Sequence, residues 1–425
     1  EDGIRDFCLP RGLGDVYKRQ IQFGFAQKSS YSPYSYFGVG ETNFSATAEN
    51  RMMGGNTSYY DSVSVNLNVP ASLSKLRFVN YSVGINLKNN RYSVGENKAK
   101  STTASLNYLS VSIPTKLLGF NFGLKPNTSV GYLLESVDES TDPISTNRYD
   151  GNGGINSAFV GLGIELFKNF GIGISSSYSF GNLNHYHSKI LTDVELFTRV
   201  SSESSLSGLS YNFSAVFQQK FRNNIQIYTT YVYQPQSSLT SKNSQSIATL
   251  KTDGTFGGDT ENIDLSLTGR DETKFTIPSF SNFGIGFGED KKWFFGVNMK
   301  SVNGNGYKNE LMALDNVNFN KHNIYSVGGF LLPQYDSFTS FFDRVTYRAG
   351  LKYVDGALEV NGQDIKDFGI NFGLGIPVGR ISKVNIGLEF GQRGTNDFGL
   401  IKENYLNLMI GVSLNDLWFI RSMYN

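Results

Sequence analysis

The chain has one cysteine, Cys8, so neither a disulfide framework nor a pair of thiols can organise it. Histidine is almost as scarce, with only His185, His187 and His322, and tryptophan occurs twice. The formal charge is +1, which removes the electrostatic case for a nucleic-acid partner. No run approaches the ~18 apolar residues that a spanning helix needs. Helical membrane crossing is therefore excluded, while crossing with strands is not. What is plentiful is glycine, 46 in 425 residues against a usual ~7%, together with 33 Phe and 24 Tyr.

The two ends of the chain differ from its middle. Residues 1–20, with "DFCLPRGLGDVYKRQ", have mixed charge and no periodicity, and resemble translated adapter sequence. They are set aside from fold reasoning. "IQFGFA" at 21–26 follows, with small residues placed as before a signal-peptidase cut, and reads as the remnant of a secretory signal. At the other end "LWFIRSMYN" places Trp418, Phe419 and Tyr424 after the last alternating segment. Terminal aromatics of this kind suit an interfacial anchor or recognition by barrel-assembly machinery.

From residue 75 to 425 one unit recurs: an alternating segment of ~9–12 residues, then a connector. In "NYLNLMIGVSLNDLWF", Leu406, Leu408, Ile410, Val412 and Leu414 share one parity, and Tyr405, Asn407, Met409 and Gly411 the other. "FVGLGIELF" sets Val160, Leu162, Ile164 and Leu166 against Gly161, Gly163 and Glu165. "VNIGLEFGQ" sets Val384, Ile386, Leu388 and Phe390 against Asn385, Gly387, Glu389 and Gly391. About fourteen such segments can be counted, centred near Val83, Val111, Val130, Leu162, Ile174, Phe213, Tyr231, Ile285, Phe295, Val327, Ala349, Leu374, Leu388 and Ile410. Their length suits a tilted strand crossing a bilayer, which takes ~9–11 residues.

The connectors alternate as well. "TKLLGF", "FKNF", "KFRNN", "GEDKK" and "GRISK" are short. Residues 89–102, 138–156, 184–204, 236–273 and 301–320 form long polar stretches read as loops. A soluble sandwich has no need of such alternation, whereas an outer-membrane barrel has short turns at one end and long loops at the other. A soluble propeller or solenoid is the competing class, and no fixed residue period supports it. The expected fold is thus all-β, a transmembrane antiparallel β-barrel of about fourteen strands in the bacterial outer membrane, with membrane lipids as its surroundings. Its apolar parity should face lipid, and its small-polar parity the lumen, where glycine leaves room for close approach. Tyr92, Tyr132, Tyr325 and Tyr405 are expected in interfacial girdles.

Residues 27–74 lack this pattern. "RMMGGNTSYYDS" and "NLNVPAS" resemble the N-terminal hatch signature of the FadL-type outer-membrane transporters of hydrophobic compounds. The matching positions are Arg51, Gly54, Gly55, Asp61, Asn68, Pro70, Ala71 and Ser72, with Val69 intruding between Asn68 and Pro70. The ending "GLEFGQRG" with "ENYLNLMIGVSLNDLWF" is similar to that family's terminal hairpin. The resemblance implies a plug at 27–74, a barrel at 75–425, and a hydrophobic ligand, fatty-acid-like or aromatic, that leaves sideways through a kink in the third strand. The alternative is a non-transporting barrel of the same family that acts as a subunit or shuttle of an outer-membrane secretion or assembly complex, with other outer-membrane proteins as partners. The third strand holds Pro126 in "FNFGLKPNTSVGYLLES". Proline cannot donate to a ladder, so pairing should break there. Asn127 and Thr128 could cap the freed groups, and Lys125 would meet a carboxylate head group. Pro278 is a rival position, expected at a strand end.

Enzymatic chemistry finds little support, and no cofactor, metal or catalytic set is expected. "NHYHS" puts His185 and His187 on one face of an extended segment, with Asp193 or Glu195 as further ligands, yet no companion pattern for zinc or hydrolysis accompanies them. The glycine clusters at 151–154 and 303–306 lack the strand–helix context of a phosphate site. Leu191, Val194, Leu196, Phe197, Leu311, Met312 and Leu314 place apolar side chains in the long connectors.

Overall fold

A computed structural model describes residues 31–44, 46–251, 254–304, 317–379 and 381–418. The leader at 1–20, the signal remnant at 21–26, the connector residues Leu311, Met312 and Leu314, and the terminal Phe419 and Tyr424 lie outside the described residues.

In chain order the strands are β1 (Glu41–Thr42), β2 (Val79–Val94), β3 (Asn97–Pro114), β4 (Leu118–Asp138), β5 (Ser145–Phe167), β6 (Phe170–Leu191), β7 (Leu196–Lys220), β8 (Ile225–Gln234), β9 (Ser237–Lys251), β10 (Phe256–Ile263), β11 (Glu272–Ile277), β12 (Phe280–Glu289), β13 (Trp293–Val302), β14 (Val317–Phe319), β15 (His322–Leu331), β16 (Thr346–Val360), β17 (Gln363–Val378), β18 (Ser382–Arg393) and β19 (Lys402–Asp416). Fourteen of them make a closed antiparallel barrel: β2 to β8, then β12, β13, β15 and β16 to β19. Closure comes from β19 on β2, running from Val79 opposite Asp416 to Ser93 opposite Lys402. All fourteen segment centres named from the sequence lie within these strands.

The alternation has the two faces expected. Leu106, Val160, Phe213, Phe283 and Phe372 are exposed on the outside, while Ser110, Ser157, Ser179, Asn282 and Asn371 are buried on the inside. An apolar surface that runs round a whole barrel has lipid as its solvent. The tyrosines divide differently from the sequence reading. Tyr325 is exposed, but Tyr92, Tyr132 and Tyr405 are buried. Tyr405 shares its parity with Asn407 and Met409, so the pleat itself turns it inward.

The long polar stretches are mostly strand rather than loop. β5 has 23 residues and β7 has 25, far beyond the ~9–11 that a bilayer requires. Between β2 and β3 only Gly95 and Glu96 remain as a turn. Ser, Thr and Asn-rich sequence continues the ladder because each backbone group finds a partner across the strand, whatever the hydropathy. β9 pairs with the first half of β7, and β10 and β11 pair with β9, so the barrel wall rises past the apolar band on this side. The connection 332–345, at the short-turn end, is the exception to short turns there. Pro278 lies between β11 and β12, at a strand joint as expected.

The N-terminal segment from Tyr31 onward runs inside the barrel. Helix α1 (Ala48–Met52) is capped by Thr47, whose side chain accepts from the Asn50 N–H. Met52 presses on Gly373 and Gly387, the Met53 carbonyl on Gly328 and Gly350, and the Pro70–Ala71 backbone on Gly163 and Gly173. A Cβ at any of these positions would overlap the segment, so inward glycine is what lets it dock. Gly54 and Gly55 turn the chain at φ of +72° and +84°, a left-handed conformation that glycine adopts without a Cβ clash.

Candidate functional site: the lumen and the seam between β3 and β4

β3 and β4 are paired only from Pro114 opposite Gly119 to Leu109 opposite Leu124. The next residues of β4 are Lys125 and Pro126. On its other side β4 keeps its pairing with β5 and slips by one residue between Pro126 and Thr128, which leaves Asn127 as a bulge. Past the bulge, Thr128 to Leu134 are buried on both faces. Pro126 pairs with Asn156, and Asn156 with the exposed Phe180, one rung beyond the apolar row Leu124–Ala158–Tyr178–Leu209, so the break falls at the margin of the apolar surface on this side. The missing proline N–H and the bulge together bend β4 inward, away from β3.

The N-terminal segment takes up the released edge of β4. β1 pairs with Thr128 and Ser129, and the Asn43 N–H donates to the Asn127 carbonyl at 2.8 Å. Ser32 donates its N–H to the Gly131 carbonyl at 2.9 Å, and the Gly131 N–H donates to Ser35 Oγ at 3.0 Å. Tyr31 reaches the opposite side of the seam, where its carbonyl accepts from Asn90 Nδ2 at 2.9 Å and it packs with Tyr92, Ala99 and Leu133.

Behind the seam lies a cavity of about 440 Å³. Phe37, Val39, Ile155, Leu239, Phe275 and Ile365 give it apolar walls toward the long-connection end. This departs from a wholly small-polar lumen. The inward parity of β5, β6, β7 and β9 becomes apolar beyond the membrane band, where the N-terminal segment packs on it.

One wall carries paired charges. Arg51 meets Glu389 at 2.8 Å, and Glu389 also accepts from Asn407 at 2.9 Å. Lys352 reaches Asp367 at 3.1 Å and Glu389 at 3.8 Å. Arg393 joins Glu41 at 3.0 Å and Asp367 at 3.4 Å, and Lys88 joins Glu41 at 2.7 Å and Glu403 at 3.3 Å. The network spans β16 to β19 and β2, and ties Glu41 and Arg51 of the N-terminal segment to them. Pairing of this kind offsets the desolvation cost of these buried charges. The strands flanking this wall are different. Lys125 and Lys300 lie over the rings of Phe159 and Phe280, at 5.5 and 3.8 Å, and neither has a carboxylate partner among the described residues.

The residues singled out in the sequence are distributed as follows. Arg51 enters the charge network, and Gly54 and Gly55 form the turn beside Gly350. Asp61 accepts from the N–H groups of Val63 and Ser64, and burial pushes its carboxyl up against the pull of Lys383. Asn68 borders the cavity. Pro70 opens a 3-10 turn with the buried Ala71 and Ser72, Val69 is its N-cap, and the Ala71 N–H donates to Ser214 Oγ at 2.8 Å. Lys125 and Asn127 border the cavity beside Pro126. His185 is bonded to Tyr132 at 2.6 Å and His187 stacks on Tyr149, so both are engaged in packing. Glu41, Lys300, Asp367, Glu389 and Arg393 were missed as site residues. The available signal was a charge on the lumenal parity of a membrane strand, as with Glu389 opposite Leu388 in "VNIGLEFGQ".

A closed fourteen-stranded barrel, an N-terminal segment inside it and a broken third strand together define the FadL-type outer-membrane barrel fold. The toluene transporter TodX of Pseudomonas putida superposes with a TM-score of 0.56 at 15% identity, over 90% of this chain and 100% of that one. The toluene transporter TbuX of Ralstonia pickettii gives 0.55 at 11%, over 87% and 98%. A Pseudomonas aeruginosa FadL homologue gives 0.54 at 11%, over 90% and 99%. Comparison with curated proteins gives no match. The family model described as BamG matches residues 19–425, and the chain belongs to the BamG family.

Proposed function

We propose that this protein is an outer-membrane channel for passive uptake of hydrophobic small molecules, fatty-acid-like or aromatic. Residues 27–74 serve as its plug. The ligand enters at the long-connection end, rests in the lumen and leaves sideways at Lys125, Pro126 and Asn127. No bond-making chemistry is assigned to the protein. The single observation that carries this reading is that the β3–β4 ladder stops at Leu109–Leu124, beside a cavity with apolar walls on one side and two lysines that have no carboxylate partner among the described residues. That cavity suits an apolar body with an anionic head. Solved barrels of the same fold that are described as toluene transporters support the transport class. The test is binding of a fluorescent fatty acid to the purified barrel. Lys125→Met with Lys300→Met should weaken it about tenfold, about 1.4 kcal/mol, and leave a neutral aromatic probe unaffected. Equal loss of both probes, or of neither, would remove the lysines from the reading.

A second reading is a non-transporting subunit or shuttle of an outer-membrane secretion or assembly complex. It is favoured by the connection between β15 and β16. Tyr335, Phe338, Phe341 and Phe342 are exposed there, Phe338 at 101%. The Gln334 N–H donates to the Asp343 carbonyl and the Ser340 N–H to Ser337 Oγ, so the loop is braced with its aromatics outward. Such a patch suits a protein contact. Replacing Phe338 and Phe342 by Ser should detach the barrel from any complex isolated from native membranes, without altering ligand binding.

A further inference from the structure

β4 and β3 lose each other at the same rung, but among the described residues only β4 is re-paired. β4 receives β1 and the Ser32–Ser35 turn. From Asn97 to Tyr108, β3 pairs with β2, with Asn107 as a bulge, and has no ladder partner on its other side among the described residues. This free edge is not a short loop end. At ~3.3 Å per residue it is as long as one membrane-crossing strand.

Part of it lies in the apolar band. Leu106 is opposite Ile85 and Ala104 opposite Leu87, and Leu106, Ile85 and Leu87 are all exposed apolar side chains. Lipid tails offer neither donor nor acceptor, so backbone groups in this band need a protein partner. A small hydrophobic molecule cannot supply alternating donors and acceptors. An extended peptide can, as β1 does for β4. Above the band the exposed residues are Thr102, Lys100 and Lys98, and neither lysine has an acidic partner among the described residues. Lysines on an edge discourage indiscriminate pairing and favour a strand that brings carboxylates opposite them.

We propose that the Asn97–Tyr108 edge of β3 accepts an extended strand from a partner protein. The strand would be apolar on its outward face near Ala104 and Leu106 and acidic near Lys98 and Lys100. This goes beyond small-molecule passage and does not depend on it.

The experiment uses the full chain in lipid nanodiscs and three synthetic peptides of alternating Val and Thr. One carries two Glu near one end, the second two Lys in their place, and the third is the Glu peptide N-methylated on alternate amides. The readout is hydrogen exchange across residues 97–108, with 293–302 in the fully paired β13 as control. The proposal expects rapid exchange at alternate amides of residues 97–102, above the apolar band, in the free protein and at least tenfold slowing with the Glu peptide. The Lys and N-methylated peptides should give little slowing. Lys98→Glu with Lys100→Glu, both exposed changes, should reverse the preference toward the Lys peptide. Slow exchange in the free protein would overturn the proposal, since the edge would already be closed. Equal protection by the N-methylated peptide would also overturn it, because that is groove binding without strand pairing. Binding of a fluorescent fatty acid in the same sample reports separately on the lumen.

Discussion

Leu109 and Leu124 form the last rung between the second and third strands of the barrel. Below it the wall is continuous. Above it β4 carries Lys125, Pro126 and the bulged Asn127, and leaves β3 for the N-terminal segment. The β3–β4 ladder thus ends next to a proline and a bulge.

If the bulge and the proline hold the seam open, removing both should close it. Deleting Asn127 together with Pro126→Thr restores the N–H and the two-residue register. Uptake of a hydrophobic dye into proteoliposomes should fall at least tenfold, while the heat-modifiable gel shift of a folded barrel is kept. Unchanged uptake in a folded variant would falsify lateral exit.

Arg51 and Glu389 predict the mooring of the N-terminal segment. Removing one member of a buried pair costs about 3–5 kcal/mol, because the other is left charged and dry. Arg51→Met should cost an amount near the lower bound, since Glu389 keeps Lys352 and Asn407. A lower unfolding temperature with raised conductance in planar bilayers is the expected pair of results. Lower temperature with unchanged conductance would mean that this contact stabilises the barrel without sealing it.

Gly350 offers a steric version of the same test. A side chain there meets the backbone of Met53 and Gly54. Gly350→Val should expel that turn and raise conductance to small ions, whereas Gly258→Ala, where the nearest atom is 3.6 Å away, should do nothing. Deleting residues 27–72 should reproduce the leak in full.

Orientation can be read with protease on intact cells. The connections at 139–144 and around Arg270 are exposed at the long-connection end, and should be nicked. The turn at Lys168–Asn169 belongs to the opposite end and should be spared. Cutting at that turn in sealed cells would invert the topology.

Fourteen strands could be read from the sequence because a bilayer imposes a length and a parity that survive in local pattern, as in Leu406 to Leu414. The inward glycines could be read as close approaches, since glycine on a pleated face has few other uses. Proline at 126 could be read as a residue unable to donate to a ladder, because the lack of an N–H is a covalent fact. The partner of each group was not local. That Glu389 meets Arg51 across 338 positions, that Gly350 yields to Met53, and that β1 rather than β3 completes β4 depend on how a closed sheet brings distant strands together. The inward turn of Tyr92, Tyr132 and Tyr405 was likewise hidden, because an aromatic at a strand end suits lipid and lumen equally until the pleat assigns a side. Composition and period determined the kind of wall this chain builds; barrel closure decided which residues face each other across it.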